Sequence, residues 1–217
     1  MNQPEPGARL HDGPASVPRL AAAVILLRGG TEQLEVLLVR RNPEARFMGG
    51  AWVFPGGSVD AADGAVGGGP PGGDGAGQQE LQAAALRELR EETGIALPRA
   101  TDLVAFDRWI TPEVVTTRFD TWFFMALAPA GAEPRVDGAE IVDAIWLAPA
   151  HALKQQAAGE LFLVFPTIKQ LQELAAFASA KALLRYAEGR EVKPVRPRIV
   201  GSGDSARILL PGDPGYS

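Results

Sequence analysis

Three glutamates, Glu88, Glu91 and Glu92, stand at i, i+3 and i+4. On a helix of 3.6 residues per turn these positions share one face. Carboxylates packed this closely repel one another. A hard divalent cation turns that repulsion into binding, because Mg²⁺ and Mn²⁺ prefer carboxylate oxygens and keep room for water and phosphate. Arg87, one turn before Glu91, is placed to orient or partly neutralise the group. Taken alone, the same residues would serve as a solvated, charge-laced helix face. Upstream, the run Phe54-Pro55-Gly56-Gly57-Ser58-Val59-Asp60 puts two glycines side by side. Such a backbone turns tightly and approaches a phosphate or a metal with no Cβ in the way.

Composition narrows the chemistry to carboxylates, arginines and a hard metal. The chain of 217 residues has no cysteine and two histidines, His11 and His151. Thiolate metal sites, Fe–S clusters, disulfides and cysteine nucleophiles are excluded, and a poly-histidine metal site is too. The net charge of −5 argues against broad nucleic-acid binding, which wants a basic face. The longest apolar run, Leu20 to Leu27, has eight residues, far short of the roughly 18 of a membrane-spanning helix. The expectation is a cytoplasmic protein, in keeping with the absence of cysteine. No peroxisomal tripeptide closes the chain, which ends Pro214-Gly215-Tyr216-Ser217.

The elements that must position the glutamates follow from periodicity. Residues 1–18 are Pro- and Gly-rich without apolar periodicity and are expected to be disordered. Leu20–Arg28 and Leu34–Arg40, joined by Gly29-Gly30-Thr31, read as antiparallel strands, and Ala51–Phe54 as a short third strand. Eight glycines and two prolines within residues 64–77 mark a flexible insertion, spanning about 61–78. No Gly-Lys-Ser/Thr follows it, so it is no P-loop. Gln79–Thr93 reads as a helix with Leu81, Ala85, Leu86 and Leu89 as its apolar stripe and Gly94 as its stop. Strands are expected at Leu103–Trp109, Phe119–Leu127 and Ile141–Leu147, then a short helix after Pro149 and one long helix over 166–187. The extension 191–217 carries Arg198–Val200 and Ala206–Leu210, a candidate hairpin. The whole predicts an α/β (α+β) chain with a mixed sheet and helices on its faces, its main domain over 19–190.

The combination of Pro55-Gly56-Gly57 with Arg87-Glu88-Leu89-Arg90-Glu91-Glu92-Thr93-Gly94-Ile95 resembles the box of the Nudix (MutT-like) hydrolases. That box runs Gly, five residues, Glu, seven residues, Arg-Glu-hydrophobic-x-Glu-Glu-x-Gly-hydrophobic. Its second half is filled without a departure. Its first half is interrupted by the insertion. Counted back from Arg87, the isolated glutamate falls on Gln79, with Glu80 one residue out of register, so Glu80 or Asp60 is the candidate for its role. The resemblance covers about residues 20–150. It implies a Nudix-type α/β/α sandwich, Mg²⁺ or Mn²⁺ held by Glu88, Glu91, Glu92 and Gly57, and hydrolysis of a nucleoside diphosphate linked to another moiety. Glu91, Glu92 and Arg87 are the expected catalytic groups. The general base stays open among Glu91, Glu92 and a loop carboxylate; Glu140, before the strand Ile141–Leu147, is a possible extra carboxylate at the metal site. Family members are often dimers, so a homodimer is a further expectation.

A second signature narrows the substrate. Leu37-Leu38-Val39-Arg40-Arg41-Asn42, then Arg46, Gly50 and Phe54-Pro55-Gly56-Gly57, resembles the motif of the coenzyme A diphosphatase branch, with Val39 and Asn42 departing from it. The interrupted box, Trp109-Ile110-Thr111-Pro112 and Arg118-Phe119-Asp120-Thr121 are similar to the acyl-CoA-hydrolysing subgroup. This implies substrate contacts from Arg41, Arg46, Gly50, Phe54 and Gly56. Paired arginines suit bidentate phosphate contacts. ADP-ribose, NADH and other nucleoside diphosphate derivatives stay open as substrates, as does a non-catalytic nucleotide-sensing domain. Glu113 and Asp120 are weaker candidates for the carboxylate group.

Overall fold

The apolar run before Arg28 is the central strand, β1 (Arg19–Arg28), buried on both of its faces. Burial on both sides is what a strand covered by helices front and back requires, and it explains a continuous apolar run in place of alternation. The computed structural model describes residues 10–11, 13–29, 33–45, 47–64, 76–201 and 205–216. After β1 come β2 (Glu35–Arg41), β3 (Trp52–Val53), β4 (Gly56–Ser58), α1 (Ala61–Gly64) and α2 (Ala76–Thr93). Then follow β5 (Val104–Ile110), β6 (Phe119–Leu127), β7 (Ile141–Leu147), α3 (Pro149–Ala157), α4 (Phe165–Leu174) and α5 (Ala180–Glu188). Three short strands close the chain: β8 (Pro194–Val195), β9 (Arg198–Val200) and β10 (Arg207–Leu209).

The sheet is mixed, as the sequence predicts. β1 lies parallel to β6 from Arg19↔Phe119 to Leu27↔Leu127. It pairs with β2 only at Leu27↔Val36 and Arg28↔Glu35, and β4 takes the neighbouring place from Ala21↔Ser58 to Ala23↔Gly56. β2 carries β7 and β3 beyond it, and β5 joins β6 with β8 at the edge. The two faces of β1 feed two cores. Ala22, Val24 and Leu26 pack with Leu81, Ala84, Ala85 and Leu89 of α2. Ala23, Ile25 and Leu27 pack with Ala152, Leu171, Leu174 and Leu183 of α3, α4 and α5. Two helical layers around one sheet make the α/β/α sandwich. Among the described residues, no helix is long and apolar enough to cross a membrane.

Three expectations change. The single helix over 166–187 is two helices, α4 and α5, because Ser179 caps a new start: its Oγ accepts from Ala182 N at 3.2 Å. Phe177, which fits the helical period, lies in the break and packs its ring 5.0 Å from Tyr186. The expected disorder through residue 18 does not hold for residues 13–18. Ser16 Oγ donates to Thr116 O, the Arg118 guanidinium donates to Ser16 O, and Leu10 and Val115 form a bridge. Backbone pairing of this kind leaves no apolar period to read. Residues 1–9 and 12, like the middle of the insertion at 65–75, lie outside the described residues. The ends of the insertion are helical, in α1 and the first turn of α2. β9 and β10 pair antiparallel with Ile199 opposite Ile208.

α2 stops where the sequence predicts. Gly94 has φ +69 and donates its N–H to Arg90 O at 2.8 Å. Replacing it by alanine forces a Cβ into the left-handed region. Gly94→Ala is expected to lose about 1 kcal/mol of stability in urea unfolding; an unchanged midpoint would contradict this account of the helix end.

Candidate active site

α2 presents its polar side to β4 and α1. Arg87 is the hub. Its Nε donates to Asp63 Oδ1 at 3.0 Å, and its two terminal nitrogens reach Asp63 Oδ2 at 2.9 Å, Ser58 O at 3.0 Å, Glu88 Oε1 at 2.8 Å and Glu91 Oε2 at 3.1 Å. These contacts use all five donors of a guanidinium. Burial alone would raise the Asp63 carboxyl, but the hydrogen bonds from Arg87 and Asp60 N, with the Arg87 charge, hold it below its ordinary value. The Arg87 guanidinium is correspondingly held in its charged form, chiefly by Asp63.

Asp63 was missed by counting back from Arg87 across the insertion. Counting forward from Gly57 finds it, because five residues separate the two and an aspartate then stands where the box has glutamate. Neither Glu80 nor Asp60 takes that place. Glu80 is buried two turns from Glu88, its carboxylate against Gly64. Asp60 is exposed and approaches Arg87 at 3.7 Å. Its backbone N–H donates to Asp63 Oδ2 at 2.8 Å, so it anchors Asp63 through the backbone.

Glu92 points into the protein beside β4. Its Oε2 accepts from Gly56 N at 2.9 Å. Burial, with repulsion from Glu88 and Glu140, outweighs that bond and the attraction of Arg41, and pushes its pKa up to about 8. Glu88 is also raised, first by burial, against the pull of Arg87. Gly56 and Gly57 make these placements possible. A Cβ on Gly56 would stand 2.4 Å from Ala22 O, and one on Gly57 would stand 2.4 Å from Glu88 Oε1. Glu91 is the exposed member of the three.

The second cluster reaches the site from β2 and β7. Arg41 binds Glu140 Oε1 at 3.2 Å, while its own buried Nε has no partner among the described residues. Gly50, at φ +77, closes the loop after β2 by donating its N–H to Arg41 O at 3.1 Å. Phe54 is buried edge-on to Phe123, on the face of the sheet opposite α2. Arg46 lies outside the described residues. Asp120 is held by Arg108 at 2.6 and 2.8 Å, and Glu113 lies in another pocket, so neither joins the glutamates.

The NUDIX domain profile matches residues 17–166. The chain belongs to the Nudix family. It is 27% identical to a putative nudix hydrolase 7 of Caenorhabditis elegans, over 90% of this chain and 73% of that protein. It is 33% identical to the acyl-coenzyme A diphosphatase NUDT19 of Homo sapiens over 113 residues, which cover 50% of this chain and 30% of that protein. A crystal structure of a NUDIX hydrolase from Alicyclobacillus acidocaldarius superposes with a TM-score of 0.69 at 29% identity, covering 78% of this chain and 96% of that one. The chain is therefore a Nudix hydrolase, and α2 is its Nudix helix.

Nudix hydrolases generally use divalent metals. Among the described residues, no three carboxylates or imidazoles converge as a ready-made cage; here the Arg87 guanidinium bridges Glu88 and Glu91. The donor chemistry nevertheless fits a hard divalent cation. The three glutamates are all oxygen donors, the mutual repulsion of Glu88 with Glu91 and of Glu92 with Glu88 is what a cation would relieve, and Gly57 leaves the Glu88 carboxylate its space.

Two expected outcomes follow. Asp63→Asn removes the charge that fixes Arg87, and is expected to lower kcat at least about tenfold and stability by about 1–3 kcal/mol. Asp63→Glu, restoring the residue type of the box, recovers most of the kcat; equal loss in both variants would deny Asp63 its orienting role. Glu92 binds its proton more tightly in the fold than in the unfolded chain. Its contribution is therefore fully present below about pH 4.5 and is lost as pH rises toward 8. Thermal melts without metal should show that decline, and Glu92→Gln should flatten it.

Proposed function

We propose that this Nudix hydrolase uses Mg²⁺ or Mn²⁺ to cleave the pyrophosphate of coenzyme A or an acyl-CoA. The products would be 4′-phosphopantetheine, bearing any acyl group, and adenosine 3′,5′-bisphosphate. The observation that carries the reading is Arg41. It is a motif arginine beside the glutamate cluster, and its buried Nε lacks an acceptor among the described residues. Buried donors of this kind are costly when unpaired, and a substrate phosphate oxygen would satisfy this one. The match to the acyl-coenzyme A diphosphatase supports the same substrate class.

In this reading Glu88, Glu91 and Glu92 hold the metal, with Gly57 adjoining it. A bound divalent cation would neutralise the pyrophosphate oxygens and make a water nucleophilic. The chain's own groups set the stage. Arg87, fixed by Asp63 and Ser58 O, holds the Glu88 and Glu91 carboxylates on one side of α2. Gly56 N–H fixes Oε2 of Glu92, a carboxyl whose ionised form a bound cation would favour over the protonated form that burial retains without metal. Glu91, exposed to solvent, is the carboxylate that meets the incoming substrate. Arg41 orients a phosphate while Glu140 steadies its guanidinium.

The test is product analysis with Mg²⁺ over CoA, octanoyl-CoA, ADP-ribose, NADH and a nucleoside triphosphate. Adenosine 3′,5′-bisphosphate should be released from the CoA compounds well ahead of any other cleavage, and Glu91→Gln should abolish it in a folded protein. Cleavage of ADP-ribose with CoA untouched would overturn the substrate. Full turnover in Glu91→Gln would overturn the site.

A further inference from the structure

A cavity of about 220 Å³ opens on the face of the sheet opposite the Nudix helix. The sheet residues Ala23, Trp109, Phe119 and Phe123 and the loop after β5 form its floor and one side, and three further parts of the chain wall it. Phe47 and Met48 come from the loop between Arg41 and Phe54, Val164 and Phe165 from the start of α4, and Ile199 and Ile208 from the β9–β10 pair. The last pair lies beyond residues 17–166, the span matched by the family, so the C-terminal extension completes this cavity. The first pair lies inside the coenzyme A-type motif. Met48 adopts φ 53, a backbone conformation that non-glycine residues hold only when their surroundings fix it. Ala51 N donates to Met48 O at 3.1 Å, and Gly50 N to Arg41 O at 3.1 Å, so one loop shapes the cavity wall and holds Arg41.

We infer that this cavity is an acyl-chain subsite, completed by the C-terminal extension, for the thioester-linked saturated chain of an acyl-CoA; the inference rests on the function proposed above. Its polar side chains are threonines and Trp109; Thr111 already bonds Phe119 through both O and N–H, and Trp109 Nε1 already donates to Asp107 Oδ2 at 2.6 Å. A purine placed there would bury ring nitrogens and an amino group with few partners, at the cost of their desolvation. A saturated chain brings no such groups. A cavity of about 150 Å³ lined by apolar side chains accepts a benzene ring. On that scale this one accepts roughly eight carbons. The position also suits the substrate. In an acyl-CoA the pantetheine arm separates the thioester from the pyrophosphate, so an acyl subsite must lie apart from the metal ligands. None of Arg87, Glu88, Glu91 and Glu92 lines the cavity.

The experiment is calorimetric titration of the full chain carrying Glu91→Gln, with Mg²⁺, using CoA, acyl-CoAs of two to twelve carbons, and adenosine 3′,5′-bisphosphate. Hydrolysis by the parent protein is measured in parallel. Affinity should rise with chain length to about eight carbons and then level off, with octanoyl-CoA at least about tenfold tighter than CoA. Ile199→Trp, which fills the cavity from the extension, should bring the octanoyl-CoA to CoA ratio close to one. Val164→Phe fills it from α4 and serves should Ile199→Trp not fold. Equal affinity for CoA and octanoyl-CoA, or a preference that survives both variants, overturns the subsite. A neighbouring pocket carries Arg196 and Arg198, which makes the nucleotide half the rival occupant. Loss of adenosine 3′,5′-bisphosphate binding in step with octanoyl-CoA assigns the cavity to that half and overturns the inference. An acyl preference in binding without hydrolysis by the parent would leave the subsite standing and remove the proposed reaction. Hydrolysis of CoA with no acyl preference would do the reverse.

Discussion

One guanidinium ties the glutamate-bearing side of this protein together. Arg87 spends every donor on fixed acceptors: the Ser58 carbonyl of β4, the Asp63 carboxylate of α1 and two glutamates of its own helix. Three chain segments are locked by one side chain whose fork geometry permits only a narrow range of arrangements. Ion pairs like these, partly withdrawn from water, add little net stability, since desolvation offsets much of the attraction. Its contribution is geometric. It sets the height and rotation of α2 against the glycine strand, and with them the positions of Glu88 and Glu91.

The same lock explains why a long insertion inside the box is tolerated. The inserted chain leaves from α1 and returns at the start of α2, and both roots are fixed, one by Asp63 on Arg87 and the other by the packing of Leu81. Closing a longer loop between fixed ends costs only about 0.6 kcal/mol per doubling of its length. Glu80, the residue that lies nearest the expected register, packs on Gly64 at these roots. It belongs to the insertion's anchorage and stands apart from the Arg87 cluster.

Much of this was legible in the sequence because it is local. β1, β6 and β7 follow from apolar runs, the Nudix helix from its stripe, and the shared face of Glu88, Glu91 and Glu92 from the helical period alone. What was not legible depends on distance or on backbone. Glu140 could be named as a candidate carboxylate, but its pairing with Arg41 rests on the register of β7 on β2, which sets Ile141 beside Arg41, about a hundred residues apart in the chain. The break between α4 and α5 depends on one serine whose cap outcompetes a period that Phe177 would continue. The strap at residues 13–18 is held by carbonyls and one arginine, with no side-chain pattern to betray it. Asp63 was visible in principle, five residues beyond Gly57, but an insertion hides it from any count that starts at the helix.

The division of labour between the two faces of the sheet has a single origin in β1. Alternate residues of a strand face opposite sides, so Ala22 supports the Nudix helix while Ala23 faces the apolar cavity. Both are alanines beside β4, where the strands approach so closely that a Cβ on Gly56 would strike Ala22 O and the Ala23 side chain. Small side chains here let the backbone of Gly56 reach Glu92 on one side, while Phe54, two residues earlier, turns its ring to the other. The Phe-Pro-Gly-Gly run is thus a hinge between polar chemistry and apolar recognition. It fixes a carboxylate by its N–H and walls a cavity by its ring. A substitution that thickens β4 would disturb both together, which neither a purely catalytic nor a purely packing role for the glycines would produce.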